Sequence, residues 1–217
     1  MKFGILGSGM VGQAIATKLV SLGHEVKMGS RTADSQAGGA WVKTAGAGAS
    51  QGTFAQAAAF GEIVFSCTKG DVALDALRAA GAENMKGKIV IDVSNPLDPS
   101  HGMPPPLIAE LANTNSLGEE VQKLLPAAAV VKTLNTTNCE VMVNPSLAKG
   151  ETDLFICGND AKAKATVAGI LRSFGWKDPI DLGDITGARG MEMILPIWMR
   201  LWGILGTPHF NFKVVRG

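Results

Sequence analysis

Short apolar runs alternate with longer stretches of helical periodicity along this chain. "KFGILG", "EIVFSCT", "KIVIDVS", "AAVVKTLNT" and "DLFICG" are near-continuous apolar segments, as expected of strands covered on both faces. Between the first and second strands, "MVGQAIATKLVSL" at 10 to 22 puts Val11, Ile15, Leu19 and Leu22 on one face before Gly23 ends the helix. A second strand spans 25 to 29, and the Gly/Ala-rich segment 33 to 60 reads as a helix, a short strand and another helix. Further helices are predicted over 71 to 81, over "EEVQKLLP", and from an Asp160 N-cap to Phe174. The alternation predicts an α/β fold: a Rossmann-type, doubly wound parallel sheet over 1 to 183, followed by a C-terminal helical extension at 184 to 217.

The extension contains "MEMILPIWMRLWGILG" at 191 to 206. It carries Glu192 and Arg200 and falls short of the roughly 20 residues of a membrane span, so it is expected to be one buried helix with no membrane role. Trp198 and Trp202 share a face with Ile194 and Leu205, which predicts core packing. Met191, Leu195, Met199 and Ile204 make the other faces apolar as well, and a homodimer would supply the second covering surface.

Composition narrows the function classes. The 217 residues are 46% hydrophobic and 18% charged with a net charge of +1, so no clustered basic surface for nucleic acid is expected. Three scattered cysteines (Cys67, Cys139, Cys157) and three scattered histidines (His24, His101, His209) suggest neither a disulfide framework nor a metal site. The glycine-rich turn follows the first strand so closely that no signal peptide is read there, and a reducing cytoplasm is expected.

The strongest motif is "GILGSGMVG", in which Gly7, Gly9 and Gly12 form G-x-G-x-x-G between a strand and a helix. With Ser8, Met10 and Val11 it forms the loop and first turn that present backbone amides to a dinucleotide pyrophosphate. A carboxylate at the end of the second strand would bind an adenosine ribose 2′-hydroxyl. This chain has Ser30 and Arg31 in "VKMGSRTADS" instead. A guanidinium pairs with a 2′-phosphate that a carboxylate would repel, so the expected cofactor is NADP(H).

No acid or base is assigned, because hydride transfer between stacked rings demands positioning and exclusion of water rather than a dedicated catalytic group. Lys132 and Asn135 resemble in type a dehydrogenase Lys/Asn pair. They fall on or just after a strand, where the lysine reads as structural.

The joined order of "GSR", "VSNP", "VVK" with its following Asn, and "CGND" resembles the NADP oxidoreductases that depend on the deazaflavin coenzyme factor 420, and the cytoplasmic domains of the six-transmembrane metalloreductases. The resemblance implies a domain that binds NADP(H) and passes a hydride from the nicotinamide to a deazaflavin or flavin-type ring. It places Gly7 to Gly12 on the pyrophosphate, Ser30 and Arg31 on the 2′-phosphate, and Thr68 and Lys69 beside the ribose and pyrophosphate. It places Asn95 and Pro96 near the nicotinamide ribose, Asn135 and Thr136 beside the nicotinamide ring, and the terminal part in dimerisation and the second-ring pocket. The loop from 97 to 115 follows neither family securely, so the small-molecule acceptor stays open. The sequence therefore leaves three readings: a deazaflavin or flavin reductase, an NADP-dependent dehydrogenase of a small carbonyl or hydroxy compound, and a non-catalytic NADP(H)-binding regulator.

Overall fold

The computed structural model describes residues 1–217. Its strands are β1 (Lys2–Leu6), β2 (Glu25–Ser30), β3 (Ala49–Thr53), β4 (Ile63–Ser66), β5 (Ile89–Asp92), β6 (Ala129–Thr133), β7 (Phe155–Gly158) and β8 (Ile180–Asp181). They form one sheet in the order β3-β2-β1-β4-β5-β6-β7-β8. The helices are α1 (Met10–Ser21), α2 (Gln36–Ala45), α3 (Phe54–Phe60), α4 (Gly70–Ala80), α5 (Ala82–Met85), α6 (Leu117–Leu124), α7 (Cys139–Val143), α8 (Ala161–Phe174), α9 (Ala188–Met193) and α10 (Leu195–Leu205).

Strand alternation builds two cores, one on each face of the sheet. Phe3, Ile5, Phe65, Ile91 and Val131 join Ile15 and Leu19 of α1 and Val167 and Leu171 of α8 on one face. Leu6, Val64, Val90 and Val130 join α3, α4, α6 and the extension residues Ile185, Ala188 and Met191 on the other. Buried on both faces, the central strands read as unbroken apolar runs. The strand order reverses at β1 and β4, where the carboxyl ends open a crevice of the kind that binds ligands in doubly wound sheets.

The sheet departs from the fully parallel expectation at one place. β6 and β7 are antiparallel, with Val131 opposite Gly158 and Thr133 opposite Ile156. The connection between them carries, besides a single 3-10 turn, only α7, five residues long, so no helix runs back along the sheet to start a parallel strand.

The terminal apolar run also differs from the single buried helix expected. It breaks at Ile194, between α9 and α10, just before Pro196, whose ring and missing N–H interrupt the helical ladder. Trp198 is buried at 7% exposure and stacks on Phe210 with centroids 5.3 Å apart, but Trp202 is 40% exposed and is not core. With Ile197, Ile204 and Leu205 it forms an outward apolar face that this chain leaves uncovered. No helix is long and apolar enough to cross a membrane.

Candidate functional site

The glycine turn shows why two of its positions carry no side chain. Gly7 adopts φ +123°, and a Cβ there would lie 2.9 Å from the Cys67 carbonyl oxygen. A Cβ at Gly12 would lie 2.0 Å from the Gly7 carbonyl oxygen, so α1 can approach β1 closely only with glycine at that position. Gly9 is different: its backbone is extended (φ −80°, ψ −175°), and a Cβ would meet nothing within 4 Å. The fold does not require glycine at position 9; the space over it is open to a ligand. Gly9 is the N-cap of α1 without a side-chain capping bond, and no acidic residue occupies the first turn, so the amides there face the crevice uncompensated.

Beside this turn lies a cavity of about 1000 Å³. Gly7, Ser8 and Gly9 line it together with Ser30, Arg31, Thr68 and Lys69. Met10 and Val11 continue into the first turn of α1, and Gly12 packs beneath. Arg31 is exposed and takes part in none of the hydrogen bonds or ion pairs of the fold, leaving its guanidinium free for an incoming anion. The Ser30 hydroxyl donates to the Thr32 carbonyl at 2.6 Å and must leave it before donating to a ligand. The Thr68 hydroxyl is buried without a partner. Thr32 and Ser35 also line the cavity and were not singled out from sequence. Ser35 caps α2, its Oγ accepting from the Gly38 amide at 3.1 Å, and the short polar run after Arg31 was the signal for it.

Asn95, Pro96, Asn135 and Thr136 gather separately, at the carboxyl ends of β5 and β6 and off the lining of that cavity. The two asparagines bridge the strands: Asn95 Nδ2 donates to the Asn135 carbonyl at 2.8 Å, and Asn135 Nδ2 donates to Asn95 Oδ1 at 2.9 Å. Asn135 Nδ2 also donates to the Met191 carbonyl of α9 at 2.9 Å, tying the extension to this end of the sheet. Leu134 stands just before them at φ +63°, a strained conformation for a branched side chain. Asn135 Oδ1 and the Thr136 and Thr137 hydroxyls are buried without partners, so three successive residues carry unsatisfied polar atoms here.

Under this end lies a buried ion cluster. The Lys132 ammonium is fully enclosed, 2.8 Å from Asp92 Oδ2 and 2.8 Å from Glu192 Oε1, and donates to the Ser94 carbonyl at 2.6 Å. Burial opposes its charge, but Asp92 and Glu192 outweigh burial and push its pKa up to about 12. Glu192 accepts from the Leu117 and Gly118 amides at 2.8 and 3.0 Å, capping α6 from a distant part of the chain. Burial raises its pKa and Lys132 pulls against that rise. Arg189 adds a bidentate pair to Glu119 of α6, at 2.8 and 2.6 Å. Lys132 is thus the structural lysine expected from its strand position. Glu192 and Asp92 were missed as its partners, although a lone glutamate in the apolar terminal run and an aspartate inside "VIDVS" were visible signals.

Comparison with known proteins agrees with this fold. Residues 2–96 match the family described as "NADP oxidoreductase coenzyme F420-dependent". A crystal structure from Arthrobacter sp. FB24, provisionally described as an F420-dependent NADP-reductase, is similar at TM-score 0.94 and 50% identity over 100% of both chains. Metalloreductase STEAP3 of Rattus norvegicus is 32% identical over 206 residues, covering 91% of this chain and 38% of its own length. The F420-dependent NADP reductase of Methanocaldococcus jannaschii is 29% identical over 119 residues, covering 55% of this chain and 52% of its own. The matches thus span about half or less of the length of these two curated relatives.

Proposed function

Because the chain belongs to the F420-dependent NADP oxidoreductase family, we propose that it binds NADP(H) along the cavity beside the glycine turn and exchanges a hydride with a deazaflavin or flavin-type ring. The observation that carries the cofactor reading is the unpaired Arg31 guanidinium in the same cavity as the uncapped start of α1. The Arg31 guanidinium and the free amides, with Lys69 also on the lining, suit a ligand with two separate anionic groups. Gly7, Ser8, Gly9, Met10, Val11 and Gly12 present the turn and its amides to the pyrophosphate. Ser30 and Arg31 take the 2′-phosphate, and Thr68 and Lys69 border the ribose and pyrophosphate.

Asn95, Pro96, Asn135 and Thr136 form the floor beside the nicotinamide. The bound dinucleotide would give or take the hydride at C4 of that ring. The residues beneath it hold no free acid or base: the asparagines bond to each other and to Met191, and the Lys132 ammonium is held by Asp92, Glu192 and Ser94. Their contribution is a rigid, largely dry surface for two stacked rings. The outward face of α10 and the exposed Trp202 suit a second copy of the chain, and we assign the homodimer contact to it. The unpaired state of Cys67, Cys139 and Cys157 suits a reducing cytoplasm.

Mixing the reduced deazaflavin carrier with NADP⁺ and following both absorbance bands tests this. Carrier oxidation with matched NADPH formation supports the reading. Turnover of NADPH by small carbonyl compounds without any carrier would move the chain to the dehydrogenases, and tight binding with no turnover would make it a regulator.

A further inference from the structure

The buried cluster beneath Asn95 and Asn135 does not sum to zero charge. Asp92, Lys132 and Glu192 are each at most 1% exposed. All hydrogen-bond partners of the two carboxylates are donors. Asp92 accepts from the Ser94 amide at 3.0 Å, from the Ser94 hydroxyl at 2.6 Å and from Lys132. Glu192 accepts from the Leu117 and Gly118 amides and from Lys132. Burial raises the Glu192 pKa, yet neither carboxyl has an acceptor toward which it could direct a proton of its own, so both are held ionised at neutral pH. Two carboxylates and one ammonium leave one negative charge. The start of α6, which Glu192 caps, offsets roughly half of it, and Arg189 is occupied by Glu119. Enclosure keeps salt from screening the remainder.

This charge is joined to both asparagines of the proposed nicotinamide floor. Ser94, which bonds to Asp92 and Lys132, directly precedes Asn95. Met191, whose carbonyl holds Asn135 Nδ2, directly precedes Glu192. The field of Asp92 also reaches the cofactor cavity: burial first, and Asp92 second, push up the thiol pKa of Cys67, one of its lining residues.

We propose that Asp92 and Glu192, set against the single cation of Lys132, place uncompensated negative charge beneath the nicotinamide and so favour bound NADP⁺ over bound NADPH. The inference rests on the NADP(H) reading and on the floor assigned above. The two cofactor forms carry the same phosphates. They differ by one positive charge on the nicotinamide ring, gained when the C4 hydride leaves with its electron pair for the acceptor ring. A fixed negative charge in a water-excluded site stabilises the cationic form and is indifferent to the neutral one. By linkage, tighter binding of the oxidised form lowers the reduction potential of the bound couple. The cluster thus sets the protein to give hydride from NADPH to its acceptor rather than to collect it.

The test measures binding of NADP⁺ and of NADPH to the full chain, by calorimetry, for the native protein, Glu192→Gln, Asp92→Asn and the double variant Lys132→Met/Glu192→Gln. Each single substitution removes one negative charge. The affinity for NADP⁺ relative to NADPH should then fall about tenfold, or about 30 mV in the two-electron potential of the bound couple. The double variant loses one charge of each sign and keeps the native sum, so its ratio should stay within about twofold of native. Circular dichroism checks the fold of each variant, and either single substitution suffices where the other does not fold. A merely structural role would weaken both cofactor forms together and leave the ratio intact. A ratio within about twofold of native in the folded single variants, or a double variant shifted as far as Glu192→Gln, overturns the proposal while leaving the NADP(H) reading in place. Absence of binding of either dinucleotide to the native protein overturns that reading and the proposal with it.

Discussion

Replacing Lys132 by Met removes the one cation between two buried carboxylates and tests whether the cluster holds the extension to the sheet. The native ammonium has three acceptors at 2.6–2.8 Å and no exposed surface. Breaking a buried pair from one side costs about 3–5 kcal/mol, because the partner charge stays behind without compensation. Here two carboxylates are stranded, which raises the cost. Each keeps other donors, Leu117 and Gly118 amides for Glu192 and the Ser94 amide and hydroxyl for Asp92, which lowers it. The expected loss is about 4 kcal/mol at neutral pH, or about 8–16 °C in Tm for a chain of this size. Urea unfolding followed by circular dichroism measures it. The deficit should shrink on acidification, since Glu192 has a raised pKa and is neutralised earlier than an ordinary glutamate. Adding Glu192→Gln to Lys132→Met should recover part of the loss, because one stranded charge is gone. A Lys132→Met loss below about 1 kcal/mol would refute the idea that this cluster fastens the two parts together.

In the native protein the Lys132 contribution to stability is fully present below the ordinary lysine value of 10.5. It should disappear as pH rises through about 12, which alkaline unfolding curves of native and Lys132→Met protein would resolve. Gly9→Val should fold normally and lose cofactor affinity, since a side chain there meets only the open space of the site, whereas Gly12→Val should fail to fold because its Cβ would fall 2.0 Å from the Gly7 oxygen. Circular dichroism with NADPH titration separates the two. Trp202→Glu combined with Ile204→Glu should yield a monomer by light scattering if α10 makes the dimer contact, and an unchanged mass would remove that face from the interface.

The parts of the fold legible in the sequence are those governed by local pattern. The apolar runs from "KFGILG" to "AAVVKTL" became β1, β4, β5 and β6 because strands covered on both faces need continuous apolar residues. The glycine turn was legible because its steric demands fall on single positions, as the Cβ distances at Gly7 and Gly12 demonstrate. The direction of β7 was not, since "DLFICG" would read the same either way and only the missing crossover helix decides it. β8 is two residues long and too short to carry a period. In the terminal run, apolar residues on every side hid both the break before Pro196 and which tryptophan faces outward. Site residues split the same way. Ser30 and Arg31 were found by distance from the glycine turn. The Glu192 partnership with Lys132 spans 60 positions between elements that no local pattern connects.

Arg31 is assigned to the 2′-phosphate of the dinucleotide, and paired titrations of NADPH and NADH into native and Arg31→Ala protein test that contact. The substitution should weaken NADPH by about 1–3 kcal/mol and leave NADH nearly unchanged. Equal losses for both dinucleotides, or native protein that binds NADH as tightly as NADPH, would contradict it.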